Sequence, residues 1–354
     1  MTTPTITIGK RKIGKGHPAY IIAEMSANHQ NDYKIAEKIV YAAKESGADA
    51  IKLQTFTADI HTLDSDKKYF RVGGGTLWDG ATLHKLYKQC EMPWKWQVKL
   101  KDLADDIGID LFSAAVDPTS VKFLEEVGVP AHKVSSFEMV DLPLIETMAR
   151  TKKPIIMSTG MATLCEIEEA VTAARKAGCR QLALMKCTSS YPAPPEDMNL
   201  LTIPHMAECF HAPVGISDHT MGITVPVAAV ALGASLIEKH FTLSRKNKGP
   251  DSTFSTEPAE FAALVAAVRD TEKALGRVQY EITACEEKSR IFRRSLFAVK
   301  KIKKGEVLSE ANVRSIRPGH GLRPKYTEMV MGCVAAQDID AGTPLSWDLI
   351  RKKA

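Results

Sequence analysis

The chain is 354 residues long, more than one average domain and enough for a barrel with an accessory domain. Its 44% apolar and 25% charged content excludes a disordered or fibrous chain, no apolar run approaches the ~20 residues of a membrane span, and the opening MTTPTITIGKRK lacks the apolar stretch of a secretion signal, so a cytoplasmic location is expected. The net charge of +5 is only mildly basic and suits a small anionic substrate; no nucleic-acid partner is expected.

In chain order, short apolar strands are predicted at 20–25, 50–53, 110–113, 131–134, 154–157, 182–186, 214–216 and 236–239. Amphipathic helices are predicted between most of them, at 33–46, 96–107, 119–127, 164–176 and 258–275. Strands alternating with helices in eight successive units predict a (β/α)8 TIM barrel over residues 1–275. The competing architecture, a doubly wound sheet, often opens on a Gly-rich turn, and none follows Met25. One connection is long: between Gln54 and Trp94 the chain runs through Gly73-Gly74-Gly75, LWDG and LHKLY, a length that predicts a functional or covering segment. Residues 276–292 read as a linker and 293–354 as a small β-rich domain. Within that domain 299–313 nearly repeats as 336–350, with Ile302 aligned to Ile339, Gly305 to Gly342 and Leu308 to Leu345. The basic run Arg293–Lys304 reads as a solvated strand face behind Leu296, Phe297 and Val299. The seven cysteines (Cys90, Cys165, Cys179, Cys187, Cys209, Cys285, Cys333) are scattered and odd in number, with no CxxC pair. They read as free buried thiols in a reducing compartment.

In such a barrel, chemistry belongs at the C-terminal strand ends. There the sequence places Glu24, Ser26 and Asn28; Lys52 and Gln54; Ser113; Lys133 and Ser136; Ser158; Lys186, Ser189 and Tyr191; Ser217, Asp218 and His219; and Glu238 and His240. Polar residues at every strand end predict a site lined all round. His219 and His240 fall on neighbouring strand ends and fit either a metal site with open positions or histidines satisfied within hydrogen-bond networks; His29 is a further candidate. Lys52 and Lys133 interrupt apolar strands, where an unpaired charge is costly. With Ser136, Ser158, Ser189 and Ser217 they suggest a cradle for phosphate and carboxylate. Each serine taken singly also fits a turn or helix cap, and either lysine a Schiff-base nucleophile.

The motifs AEMSANH (23–29), IKLQT (51–55), HKVSSFE (132–138), STGMAT (158–163), KCTSSYP (186–192), GISDHT (215–220) and EKHFT (238–242) together resemble the sialic acid synthase family. These enzymes condense phosphoenolpyruvate with an N-acetylated amino sugar to give a nine-carbon nonulosonic acid and phosphate. The resemblance extends over the C-terminal region, where IKKGEVLSEANV and RPGHG are similar to an antifreeze-like (SAF) domain. GGGTLWDG, LHKLY, MPW and GPDSTFS are similar to the pseudaminic acid branch, whose acceptor is 2,4-diacetamido-2,4,6-trideoxy-L-altrose. The N-acetylneuraminate and legionaminic acid branches are the alternatives.

The resemblance implies Mn or Mg on His219 and His240, with the ion polarising the aldehyde of the open-chain sugar. It implies phosphoenolpyruvate contacts from Lys52, Lys133, Ser136, Ser158, Ser189 and Ser217, and sugar contacts from Glu24, Gln54, Tyr191 and Asp251. Lys133 is implied in catalysis, and Glu24 or Glu238 in orienting water or moving a proton. It also implies that Arg317 reaches the site from a partner subunit in a domain-swapped homodimer. Two positions depart from the sialic acid pattern: Ala114 follows Ser113 where a hydroxyl is frequent, and Ser189 stands where that branch has Asn. Outside the family, a Schiff-base aldolase fits the same barrel. A non-catalytic sugar-binding protein would be marked by loss of the histidine pair or Lys133, and neither is lost.

Overall fold

The computed structural model describes residues 4–75, 78–247 and 249–352, which group into two compact units, Met1–Gly276 and Arg277–Ala354. The first unit is a closed barrel of eight parallel strands: β1 (Tyr20–Glu24), β2 (Ala50–Thr55), β3 (Asp110–Ala115), β4 (His132–Val134), β5 (Ile155–Ser158), β6 (Leu182–Cys187), β7 (Val214–Asp218) and β8 (Leu236–His240). They pair in chain order, and β8 returns to β1 with His240 opposite Glu24. β1, β7 and β8 are buried along their whole length. A strand packed between a filled lumen and a helix layer has no solvent face, so the first residues of each are apolar without alternation and the polar residues gather at the C-terminal end.

Two of the surrounding helices show an apolar stripe on one face. Leu164–Lys176 starts at a capping box between Thr163 and Glu166 and buries Ile167, Ala170, Val171 and Ala174, the i, i+3, i+4, i+7 positions of one face. Pro258–Leu275 likewise buries Phe261, Leu264 and Val268. An element not anticipated from sequence, a hairpin of Ile6–Ile8 and Arg11–Ile13, closes the opposite end of the barrel. Its three isoleucines enter the barrel core, and Arg11 pairs with Asp49 and Asp110 at 3.1 and 3.2 Å.

The second unit includes residues 277–292, expected as a bare linker but holding helical turns at Ala284–Glu287 and Lys288–Phe292. Its own core comprises Leu296, Ile302, Leu308, Val313, Ile339 and Leu345 among others. The near-repeat is a physical symmetry. Ile302 bridges its equivalent Ile339. Gly305 donates to Ala335 as Gly342 does to Ala298, both at 2.8 Å. Both glycines adopt positive φ, 80° and 85°, which L side chains rarely take.

Candidate active site

The C-terminal strand ends open into a cavity of about 440 Å³, within the range of small-molecule sites. Strand parity builds it: Glu24, Lys52, Lys133, Ser158, Ser217, Glu238 and His240 all point inward. Glu24 and Lys52 are ladder neighbours, as are Ser217 and Glu238, so the parallel register brings their side chains together. Lys52 Nζ lies 2.6 Å from Glu24 Oε2 and 3.5 Å from Glu238 Oε1. Lys133 Nζ donates to Ser158 Oγ at 2.6 Å and to the Val134 carbonyl at 3.1 Å, and lies 3.9 Å from Glu238 Oε2.

Burial pushes Glu24 up to about 7, against the pull of Lys52 and with help from Glu238. Burial also acts on Glu238, but Lys133 and Lys52 outweigh it and hold Glu238 below its ordinary value. One carboxyl is therefore poised near neutrality while its neighbour stays ionised. Burial depresses Lys133, with Lys52 adding to the effect. For Lys52 the two carboxylates overcome burial and raise it. Glu24 Oε1, Glu238 Oε2 and His240 Nδ1 are buried without a hydrogen-bond partner, an arrangement that points to a ligand.

The histidine rings stand 5.4 Å apart between centroids. His219 Nδ1 donates to the Thr188 carbonyl at 2.8 Å, a far better contact than the 3.9 Å to Cys187 Sγ, so Nε2 is left as the free lone pair. Burial, then His219 and Lys52, hold His240 well below its ordinary value and hence neutral, the form that binds metal. Burial opposes protonation of His219, yet Cys187 and the Thr188 carbonyl raise it, so the ring favours a cation, proton or metal ion alike. Among the described residues no cluster of three or more His, Cys, Asp or Glu is arranged around one point. The fitting donor set is therefore two imidazoles, which leaves positions for water and substrate. Behind the pair, buried Lys239 bonds Asp218 Oδ2 and the Thr220 carbonyl, each at 2.6 Å. Tyr191 packs 4.3 Å from the His219 ring and Phe254 5.0 Å from the His240 ring.

Ser136 Oγ accepts from Gly160 N at 3.1 Å. A Cβ on Gly160 would lie 2.7 Å from that hydroxyl and 2.2 Å from Ser189 Oγ, so the glycine is what lets both hydroxyls approach. Gln54, Tyr191 and Asp251 line the cavity. Asp251 accepts from Ser26 Oγ and, at 3.1 Å, from Ala27 N.

Several sequence-predicted residues sit elsewhere. Ser113 faces away from the lumen and bonds Thr55 Oγ1 at 2.6 Å; Ala114 takes the lining position, so strand three adds no hydroxyl and the lining is not polar all round. Lys186 also has outward parity, with Nζ on the Cys187 carbonyl at 2.9 Å. Ser189 adjoins Gly160 rather than lining the cavity. His29 is structural: burial pushes it down to about 4, and its Nδ1 accepts from Asn31 N at 3.1 Å. Arg317 lies exposed in the second unit. Of GGGTLWDG, Thr76 and Leu77 fall outside the described residues.

Sequence reasoning missed Cys187, which lines the cavity. Burial raises this thiol, but the adjoining His219 ring and the Ser136 and Ser189 hydroxyls prevail and bring it to about 7. It also missed an apolar wall that includes Phe56, Trp78, Leu83, Leu86 and Tyr87. The spacing of Leu83, Leu86, Tyr87 and Cys90 was the available signal.

A barrel with this strand-end set followed by a small β-rich unit defines a class, and comparison agrees. Residues 39–280 match the NeuB family and 293–351 the SAF domain. The chain belongs to the NeuB family, whose synthases are generally metal-dependent. It is 42% identical over 336 residues to the pseudaminic acid synthase of Helicobacter pylori, covering 95% of this chain and 98% of that one. It is 36% identical over 348 residues to the N,N'-diacetyllegionaminic acid synthase of Legionella pneumophila, covering 97% of each. The N-acetylneuraminic acid (sialic acid) synthetase of Leptospira borgpetersenii, solved with citrate, superposes with a TM-score of 0.72 at 33% identity, over 81% of this chain and 95% of that one. Among the described residues no helix is long and apolar enough to cross a membrane.

Proposed function

We propose that the chain condenses phosphoenolpyruvate with 2,4-diacetamido-2,4,6-trideoxy-L-altrose to give pseudaminic acid and phosphate. The supporting observation is one cavity in which a buried lysine–hydroxyl cradle adjoins a histidine pair carrying an orphaned ring nitrogen, in a chain more like a pseudaminic than a legionaminic acid synthase. The methylene carbon of the enol bonds to the aldehyde carbon of the open-chain sugar. Water adds to the carbon bearing phosphate, the C–O bond to phosphate breaks, and phosphate leaves. Lys52, Lys133 and the hydroxyls of Ser136, Ser158 and Ser217 hold the anion and offset its charge. Glu24, balanced near neutrality, accepts a proton from the added water, and ionised Glu238 keeps both lysines charged and in place. Gln54, Tyr191 and Asp251 orient the sugar. His219 and His240 would hold a divalent ion, Mn or Mg, which when bound would supply Lewis acidity toward the sugar's aldehyde oxygen. Arg317 completes the site from the partner subunit of a homodimer.

Phosphate release that requires both Mn2+ and the diacetamido sugar is the expected result. Release with N-acetylmannosamine in its place would move the chain to the neuraminate branch. No release with any acceptor would refute the condensation. A second reading, a Schiff-base aldolase, is favoured by the depressed Lys133 alone; borohydride trapping of Lys133 with pyruvate, and activity surviving a chelator, would establish it instead.

A further inference from the structure

The helix Leu83–Cys90 is amphipathic, yet none of its residues is fully buried. Its apolar stripe, Leu83, Leu86, Tyr87 and Cys90, lines the cavity, whereas an ordinary surface helix turns that stripe to the core. The polar side is engaged elsewhere: His84 Nε2 lies 2.9 Å from Asp59, and Lys88 Nζ 2.6 Å from Glu91. The helix is fixed in place. Glu91 accepts from Ala58 N at 2.9 Å, Asn31 Nδ2 donates to the Gln89 carbonyl at 3.1 Å, and the Tyr87 ring packs 4.3 Å from His61 and 5.9 Å from Phe56. The wall is continuous with the reaction centre, because Trp78 meets Tyr191 at 6.0 Å and Tyr191 meets His219 at 4.3 Å.

One cavity thus has two chemistries: charged groups at the strand ends and, on the covering segment, an apolar patch of Phe56, Val72, Leu83 and Leu86 whose side chains offer a hydroxyl no partner. A hydroxyl set against Leu83, Leu86, Phe56 and Val72 would lose its hydrogen bonds to water and regain none. A methyl group there carries no such penalty. We infer that the stripe of Leu83–Cys90 is the specificity wall for the acceptor, seating the methyl groups of a deoxygenated, N-acylated sugar while the reacting end lies at the histidines. This assignment rests on the condensation proposed above and adds to it the residues that select a 6-deoxy over a 6-hydroxy acceptor.

The test measures kcat/KM for the trideoxy diacetamido sugar and for its 6-hydroxy counterpart, in the wild-type full chain and in Leu86→Gln and Leu83→Gln, at saturating phosphoenolpyruvate and Mn2+. The expected result is a preference for the deoxy sugar that falls by about 10-fold or more in the variants, with KM for phosphoenolpyruvate unchanged. Leu86→Ala, which keeps the site apolar, serves if the glutamine variants do not fold; it should raise KM for the deoxy sugar and leave phosphoenolpyruvate alone. An unchanged preference in folded glutamine variants, or an unchanged acceptor KM in Leu86→Ala, overturns the wall alone. A wild-type chain that turns over neither sugar overturns the condensation, and the wall with it.

Discussion

Gly160 shows how much of the proposed anion site hangs on one absent side chain. Ser136 and Ser189 both occupy the space a Cβ would need, and no positive φ restricts the position, so Gly160→Ala isolates the steric effect. It should raise KM for phosphoenolpyruvate about 100-fold, the scale of an ångström-sized misplacement, while unfolding free energy falls by only about 1–3 kcal/mol; steady-state kinetics beside a denaturation curve would check both. His29 sets a pH dependence. Its ordinary value of 6.5 drops to about 4 in the folded chain through burial. Above pH 6.5 neither state holds the proton and the stability contribution is complete. Between 6.5 and 4 the unfolded chain protonates first, so stability falls with pH, by up to about 3 kcal/mol. Urea unfolding across that window should show the decline in the wild type and a flatter profile in His29→Gln.

At the scale of elements, the ends of β7 and β8 are clipped together outside the lumen. Lys239 pairs with Asp218 in the ladder, and both side chains are at most 2% exposed. Removing one partner strands a buried charge, so Lys239→Met should cost about 3–5 kcal/mol and weaken Mn2+ binding as His219 and His240 lose their spacing. Full stability and full affinity in calorimetry would contradict this. The strands and helices were legible because periodicity survives in the sequence; the helix 164–176 is found at its predicted residues. Side-chain direction was less legible. Ser113 and Lys186 stand near strand ends, where proximity alone predicts lining residues, yet a period of two turns them outward and presents Ala114 and Cys187. LHKLY stands out in the sequence as part of a long connection, but its helix and apolar face do not, because glycines and polar residues surround a short stripe. The N-terminal hairpin has strands of only three residues, too few to show alternation.

At the scale of the molecule, the barrel strand ends carry every proposed substrate contact except Arg317, Ser136, Tyr191 and Asp251, of which all but Arg317 lie in segments that follow strands of the same unit. The repeat in the second unit was legible because each half contributes the same positions to one core. The proposed delivery of Arg317 by a partner subunit makes a separable prediction. Arg317→Ala and His219→Ala homodimers should each be inactive, and subunit exchange between them should restore roughly a quarter of wild-type activity, since half the dimers then hold one intact site. No recovery despite demonstrated exchange would place Arg317 in its own chain's site or outside it.

The central claim is that the histidine-bearing barrel joins the enol carbon to a diacetamido sugar. The most direct measurement is the product mass after incubation with phosphoenolpyruvate, Mn2+ and 2,4-diacetamido-2,4,6-trideoxy-L-altrose, run beside His219→Ala. The account predicts a nonulosonic acid containing the sugar plus the three carbons of phosphoenolpyruvate, one phosphate released per molecule, and neither in the variant. Sugar recovered unchanged from the wild type, or the same product from His219→Ala at full rate, would contradict it.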